Sequence, residues 1–151
     1  MKKSILVAVS LLFATGLFAQ NYHKSVGLRI GTEIGASYKQ FFSPKHALEG
    51  ILDLNIFHGN TMNLAVTGLY EFHFNVDVDG LSLYVGPGAS VGAMLGDNSG
   101  LYLAINGVAG IEYKLYNVPV ALSLDWLPAV AIIHNAGFFP GGLGLTVRYT
   151  F

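Results

Sequence analysis

The chain has 151 residues, of which 52% are hydrophobic and only 11% charged, with 19 glycines and no cysteine. Its mean hydropathy of +0.51 is too high for an ordinary water-facing domain, where about a quarter of residues carry charge. Yet beyond the N-terminus no stretch reaches the ~20 consecutive apolar residues of a membrane helix. The missing cysteine excludes disulfides and a lipidated-cysteine anchor.

The N-terminus reads as a secretory signal. Lys2 and Lys3 form a basic start, residues 5–17 (ILVAVSLLFATGL) are apolar, and Ala19 supplies a small residue at the expected cut. The expected division is therefore a signal peptide over 1–19 and one domain over 20–151. Without Lys2 and Lys3, the domain carries six Lys/Arg against nine Asp/Glu, a formal net charge of −3. It has no basic stripe, so nucleic acid is not an expected partner.

From residue 25 onward, apolar and polar residues alternate with period two, the mark of strands with one face in an apolar medium. SVGLRI (25–30) and GASYKQFF (35–42) flank Gly31-Thr32-Glu33, which offers a tight turn. Next come 47–57, 62–74, 81–95, 101–115, 118–132 and 141–151. Turn-forming residues separate them: Ser43–His46, His58–Thr61, Asn75–Gly80, Gly96–Gly100, Tyr116–Asn117 and His134–Pro140. Pro87 and Pro128 lack ladder donors and predict local irregularities. No segment has a helical period. Splitting residues 25–42 uses the even strand number that a membrane barrel requires. The resulting expectation is an all-β chain: an eight-stranded antiparallel up-and-down transmembrane β-barrel.

Charge placement gives that barrel an orientation. Lys24, Glu33, Lys45, Asp77, Asp79 and Asp97 fall in the leader, turns or loops. Arg29, Lys39, Glu49, Asp53, Glu71, Glu112, Lys114, Asp125 and Arg148 all fall on the polar face of strands. That face is otherwise rich in Gly, Ala and Ser, which suits the narrow interior of eight strands. The other face is bulky Leu, Ile, Val, Tyr and Phe, more than so small a barrel encloses. An outward Lys or Arg at mid-bilayer costs about 2–4 kcal/mol, and alternation places none there. The nine strand charges are thus expected to form a paired ionic network that plugs the lumen. Tyr38, Tyr70, Phe72, Tyr113, Tyr149 and Phe151 predict an aromatic girdle at one interface, and Trp126 marks the opposite one.

SYKQFFSPKHALEGIL (37–52), LYVGPGASVG (83–92), LSLDWLPAV (122–130) and GGLGLTVRYTF (141–151) resemble small Gram-negative outer-membrane β-barrel proteins of the OmpA/OmpX-like superfamily, often labelled "porin family" or "outer membrane protein beta-barrel domain". The resemblance covers essentially all of 25–151. It implies residence in a bacterial outer membrane, with membrane lipids and lipopolysaccharide as neighbours. It also implies insertion by the barrel-assembly machinery, with Tyr149 and Phe151 at the positions of the C-terminal assembly signal. A monomer is expected. Members of this fold have many roles, so the resemblance is specific for placement and weak for function.

Sequence motifs add little chemistry. Gly86–Gly92 has the spacing G-x-G-x-x-x-G with no helix following, so it is not a dinucleotide loop. His58 and His134, in loops assigned to the outer surface, pair with Asp97 and Ser99 only if the fold brings them together. Phe138-Phe139-Pro140 is the most exposed apolar cluster expected, a rim element or a contact for lipopolysaccharide. No cofactor, metal or catalytic residue is expected. The favoured function is structural or surface-interacting; a small-conductance pore and a lipid-modifying or hydrolytic enzyme at the outer rim are the alternatives.

Overall fold

A computed structural model describes residues 22–58, 61–96, 99–133 and 136–151, without the side chains of 55–58 and 61. The expected signal peptide, Asp97, His134 and the side chain of His58 lie outside the described residues.

The described residues contain no helix. The strands are β1 (Lys24–Gly31), β2 (Ile34–Ser43), β3 (His46–His58), β4 (Thr61–Asn75), β5 (Leu81–Leu95), β6 (Gly100–Lys114), β7 (Val120–Trp126), β8 (Ala129–Ile133), β9 (Gly137–Phe139) and β10 (Leu143–Thr150). All pairings are antiparallel, and β5–β6 pairing closes the sheet on itself. β7 and β8 both pair with β6 and are two halves of one wall strand. β9 pairs with β8 and β10 with β7, so these too are halves of one strand. The architecture is a closed eight-stranded antiparallel β-barrel.

Both prolines act where the missing N–H would otherwise break the ladder. Pro128 separates β7 from β8, yet Ala109↔Trp126 and Asn106↔Ala129 keep one register, and the Pro128 carbonyl accepts the Gly107 N–H at 2.9 Å. The interruption spans two residues, so Asp125 and Ala129 still face the same way. Between β4 and β5 the ladder runs Leu69↔Gly88, then Phe72↔Val85, passing over Pro87 without changing register.

Strand tilt is legible in the pairing. The chain of partners Arg148–Gly27–Ser37–Ile51–Thr67–Ser90–Ala104–Ala131–Gly137 circles the wall once. It returns to the starting wall strand eleven positions from Arg148. Such a stagger is what closure with steeply tilted strands requires. The inward residues on this circuit are mostly small, which leaves the lumen to a few large side chains.

The two faces have opposite characters. Leu124 and Val147 are 47% and 46% exposed, while the residues that follow them, Asp125 and Arg148, are 3% and 0% exposed. Bulky apolar residues cover the outside on every wall strand, and the ionised groups of the strands other than Lys24 and Lys114, which lie at strand ends, are enclosed.

Several boundaries differ from the sequence reading: His46, His58, Thr61, Asn75 and Gly100, expected in turns or loops, end or begin strands, and two further differences concern the leader and the last loop. Lys24, expected in the leader, is the first residue of β1, held by backbone hydrogen bonds in both directions with Phe151. Residues 134–140, expected as one loop, include β9, where Gly137–Phe139 pairs with Ala129–Ala131. Three residues bounded by a proline are too few to show alternation.

Candidate functional site

The site is the lumen. Its centre of charge lies near the chain termini, where β2, β3, β4, β6 and β10 each turn one ionised group inward. Lys39 Nζ stands 2.8 Å from Glu71, 3.2 Å from Glu112 and 3.6 Å from Glu49. Arg148 pairs with Glu49 and, at 3.2 Å, with Glu112, and it also donates to Ser123 and Ser37. Ser37 donates in turn to Glu49. His73 lies 2.8 Å from Glu71. Tyr22, just before β1, donates its hydroxyl to Glu112 and packs edge-on against Phe41. Two cations thus hold three carboxylates, and no carboxylate lacks a cation.

A second, smaller group lies further along the lumen. Arg29 meets Asp125 at 2.6 Å. Asp53 is buried nearby, and its Oδ1 has no hydrogen-bond partner among the described residues. Tyr84 joins the two groups: its ring lies 4.4 Å from Lys39 Nζ, and its hydroxyl donates to Asp125 at 3.0 Å. Between them, Ile51, Leu69, Tyr84 and Val108 form a compact apolar cluster.

Glycine makes room for these groups. A Cβ at Gly110 would collide with the Tyr84 ring, and one at Gly144 with the Arg29 guanidinium. The small residues of the polar face are therefore where the large inward side chains lie down against the wall.

Eight of the nine strand charges are brought inside: Arg29, Lys39, Glu49, Asp53, Glu71, Glu112, Asp125 and Arg148 are all buried. Lys114 is not with them. It is half-buried at the end of β6 and donates to the carbonyls of Leu115 and Val118, at 3.1 and 2.7 Å, bracing the turn into β7. Its parity matches the others, but it sits one pleat too far along the strand.

Tyr149 and Phe151 stack at the terminal end with centroids 6.0 Å apart. Trp126, on the outer face of β7, donates its indole N–H to the Pro140 carbonyl. Phe138 and Phe139 are exposed on β9 and belong to the wall. Ser99 is exposed, but its proposed companions His58, Asp97 and His134 lie outside the described side chains. Among the described residues no three His, Asp or Glu are grouped to hold a metal.

Tyr84, His73, Ser37, Ser123 and the inward Ile51, Leu69 and Val108 were not singled out from the sequence. Tyr84 had one usable signal: a large aromatic with inward parity, flanked two residues away by Ser82 and Gly86. No family model matches the chain, and no curated protein compared with it is similar.

Proposed function

We propose that this chain is an integral bacterial outer-membrane barrel of the OmpA/OmpX-like kind, with a sealed lumen and a structural or surface-interacting role. One observation carries the reading: the wall is inverted relative to a water-soluble barrel. Leu28, Leu101 and Leu143 are more than 60% exposed, and every strand adds more apolar surface. Soluble monomers rarely expose contiguous apolar patches above a few hundred Å². Hydrocarbon around the wall removes that cost, and closure leaves no strand edge unpaired within it.

What fills the interior supports a barrel without a diffusion pore. An ionic cluster spans the lumen near the termini, and the apolar cluster around Tyr84 backs it. This favours a scaffold or contact surface over a conduit. The residues weighed for an enzyme at the outer rim, His58, Asp97 and His134, lie outside the described side chains, and that reading stays the alternative. Signal cleavage after Ala19, insertion by the assembly machinery through Tyr149 and Phe151, monomeric state and contact with lipopolysaccharide complete the proposal.

The test is membrane fractionation followed by planar-bilayer recording. The protein is expected to leave membranes only with detergent, to float with lipid vesicles after reconstitution, and to show no resolved openings. Extraction in detergent-free buffer overturns the membrane reading. Unitary currents overturn the sealed lumen and establish the pore.

A further inference from the structure

Across β2–β5 a groove of about 930 Å³ is cut into the outer apolar surface. Its floor is made by Gly50 and Gly68, which are direct partners, and by Ala89 beside Gly68. A Cβ at Gly50 or Gly68 would meet nothing within 4 Å. These two glycines therefore serve no close approach within the chain, unlike Gly110 and Gly144. They leave an open trough that a side chain would otherwise occupy.

The trough is apolar in its middle and polar at one lip. Tyr38, Gln40, Phe42 and Tyr70 line that lip. The Tyr38 hydroxyl donates to Gln40 Oε1, the Tyr70 hydroxyl meets His46 Nδ1, and His46 stacks on Phe42.

Charge singles out the occupant. Of the six Lys and Arg among the described residues, only Lys24 and Lys45 are exposed. Lys24 is the register partner of Gln40, and Lys45 follows Phe42-Ser43-Pro44 in the turn between β2 and β3. The two therefore flank the same lip, from opposite sides. Neither forms an ion pair among the described residues. Glu49, the acid beneath the trough, turns its carboxylate into the lumen, where Arg148 and Lys39 hold it.

We propose that this groove binds one anionic phospholipid, with an acyl chain over Gly50, Gly68 and Ala89 and the phosphate at the lip between Lys24 and Lys45. The inference rests on the membrane reading above. A convex lipid-facing wall exchanges its neighbours freely; a trough with cations at one end retains one of them. Packing and electrostatic attraction to phosphate supply the preference, because transfer between hydrocarbon surroundings supplies none.

The experiment reconstitutes the full chain into phosphatidylcholine vesicles containing a minor share of phosphatidylglycerol, then measures flotation and, by native mass spectrometry, retained lipid. Wild type is expected to float and to keep one phosphatidylglycerol per chain. Lys24→Gln/Lys45→Gln should lower that retention by about fivefold per cation, about twenty-five-fold together. Gly50→Leu/Gly68→Leu extends side chains into the trough from positions where a Cβ meets nothing within 4 Å, and should abolish retention while leaving flotation intact. Failure to float overturns the membrane reading and the site with it. Flotation with equal retention by wild type and both variants overturns the site alone. So does retention of phosphatidylcholine in place of phosphatidylglycerol. A wild-type dimer that becomes monomeric in the Gly50→Leu/Gly68→Leu variant assigns the groove to a second copy of the chain and equally overturns the lipid.

Discussion

Near the chain termini, Lys39 and Arg148 share three carboxylates and draw in Ser37, Ser123, His73 and Tyr22. Further along the same lumen, Arg29 meets Asp125 alone, and one oxygen of Asp53 meets nothing among the described residues. Both regions enclose charge behind the same kind of wall. The difference is redundancy. In the first, every carboxylate has a cation and most have a second donor; in the second, each loss leaves a group with one partner or none. Burying ions is costly whatever the pairing, and what a network offers is geometry good enough to offset that cost.

The sharpest way to break the comparison is Arg148→Met. It leaves Glu49 with Lys39, at 3.6 Å, as its one cation and removes the donors to Ser37 and Ser123. The expected loss is about 3–5 kcal/mol, read from urea unfolding in lipid vesicles. A loss below about 1 kcal/mol means that the cluster is not what holds the terminal end together. Arg29→Met should cost less, about 1–3 kcal/mol, because Asp125 retains the Tyr84 hydroxyl. Tyr84→Phe keeps the ring against Lys39 and removes only that hydroxyl; about 1–2 kcal/mol is expected in the same assay, and its combination with Arg29→Met should exceed the sum of the two. Asp53→Asn is the smallest: removal of a buried charge with one oxygen unpaired among the described residues should leave stability unchanged or raise it by up to about 1 kcal/mol. If Asp53→Asn costs as much as Arg148→Met, the contrast between the two regions is wrong.

Parity was the readable part of this molecule. Alternation assigned Glu49, Glu71, Glu112 and Arg148 to one face, and the turn at Gly31-Thr32-Glu33 separated β1 from β2. It also carried across Pro128, because a two-residue interruption preserves a period of two. Height was not readable. Lys114 has the parity of Glu112 but sits at the wall's edge, so it braces a turn instead of joining the network. Partners were not readable either. Arg148 reaches Glu49 across 99 residues of sequence, a meeting fixed by the stagger of the strands and invisible to any local pattern. Ile51, Leu69 and Val108 share the inward parity of the charges, yet nothing in their spacing says that they would gather around Tyr84. The relation of His58, Asp97 and His134 lies outside the described residues.

The pairing of β1 with β10 bears on how such a chain matures. β10 follows every other wall strand in chain order, and its Arg148 supplies a cation to acids contributed much earlier by β3 and β6. Until it docks, Glu49 and Glu112 crowd together with Lys39 as their one nearby base, and the curved sheet keeps two raw edges. Closure and neutralisation then arrive in one event. The strand that seals the wall is thus also the one that completes the charge balance inside it.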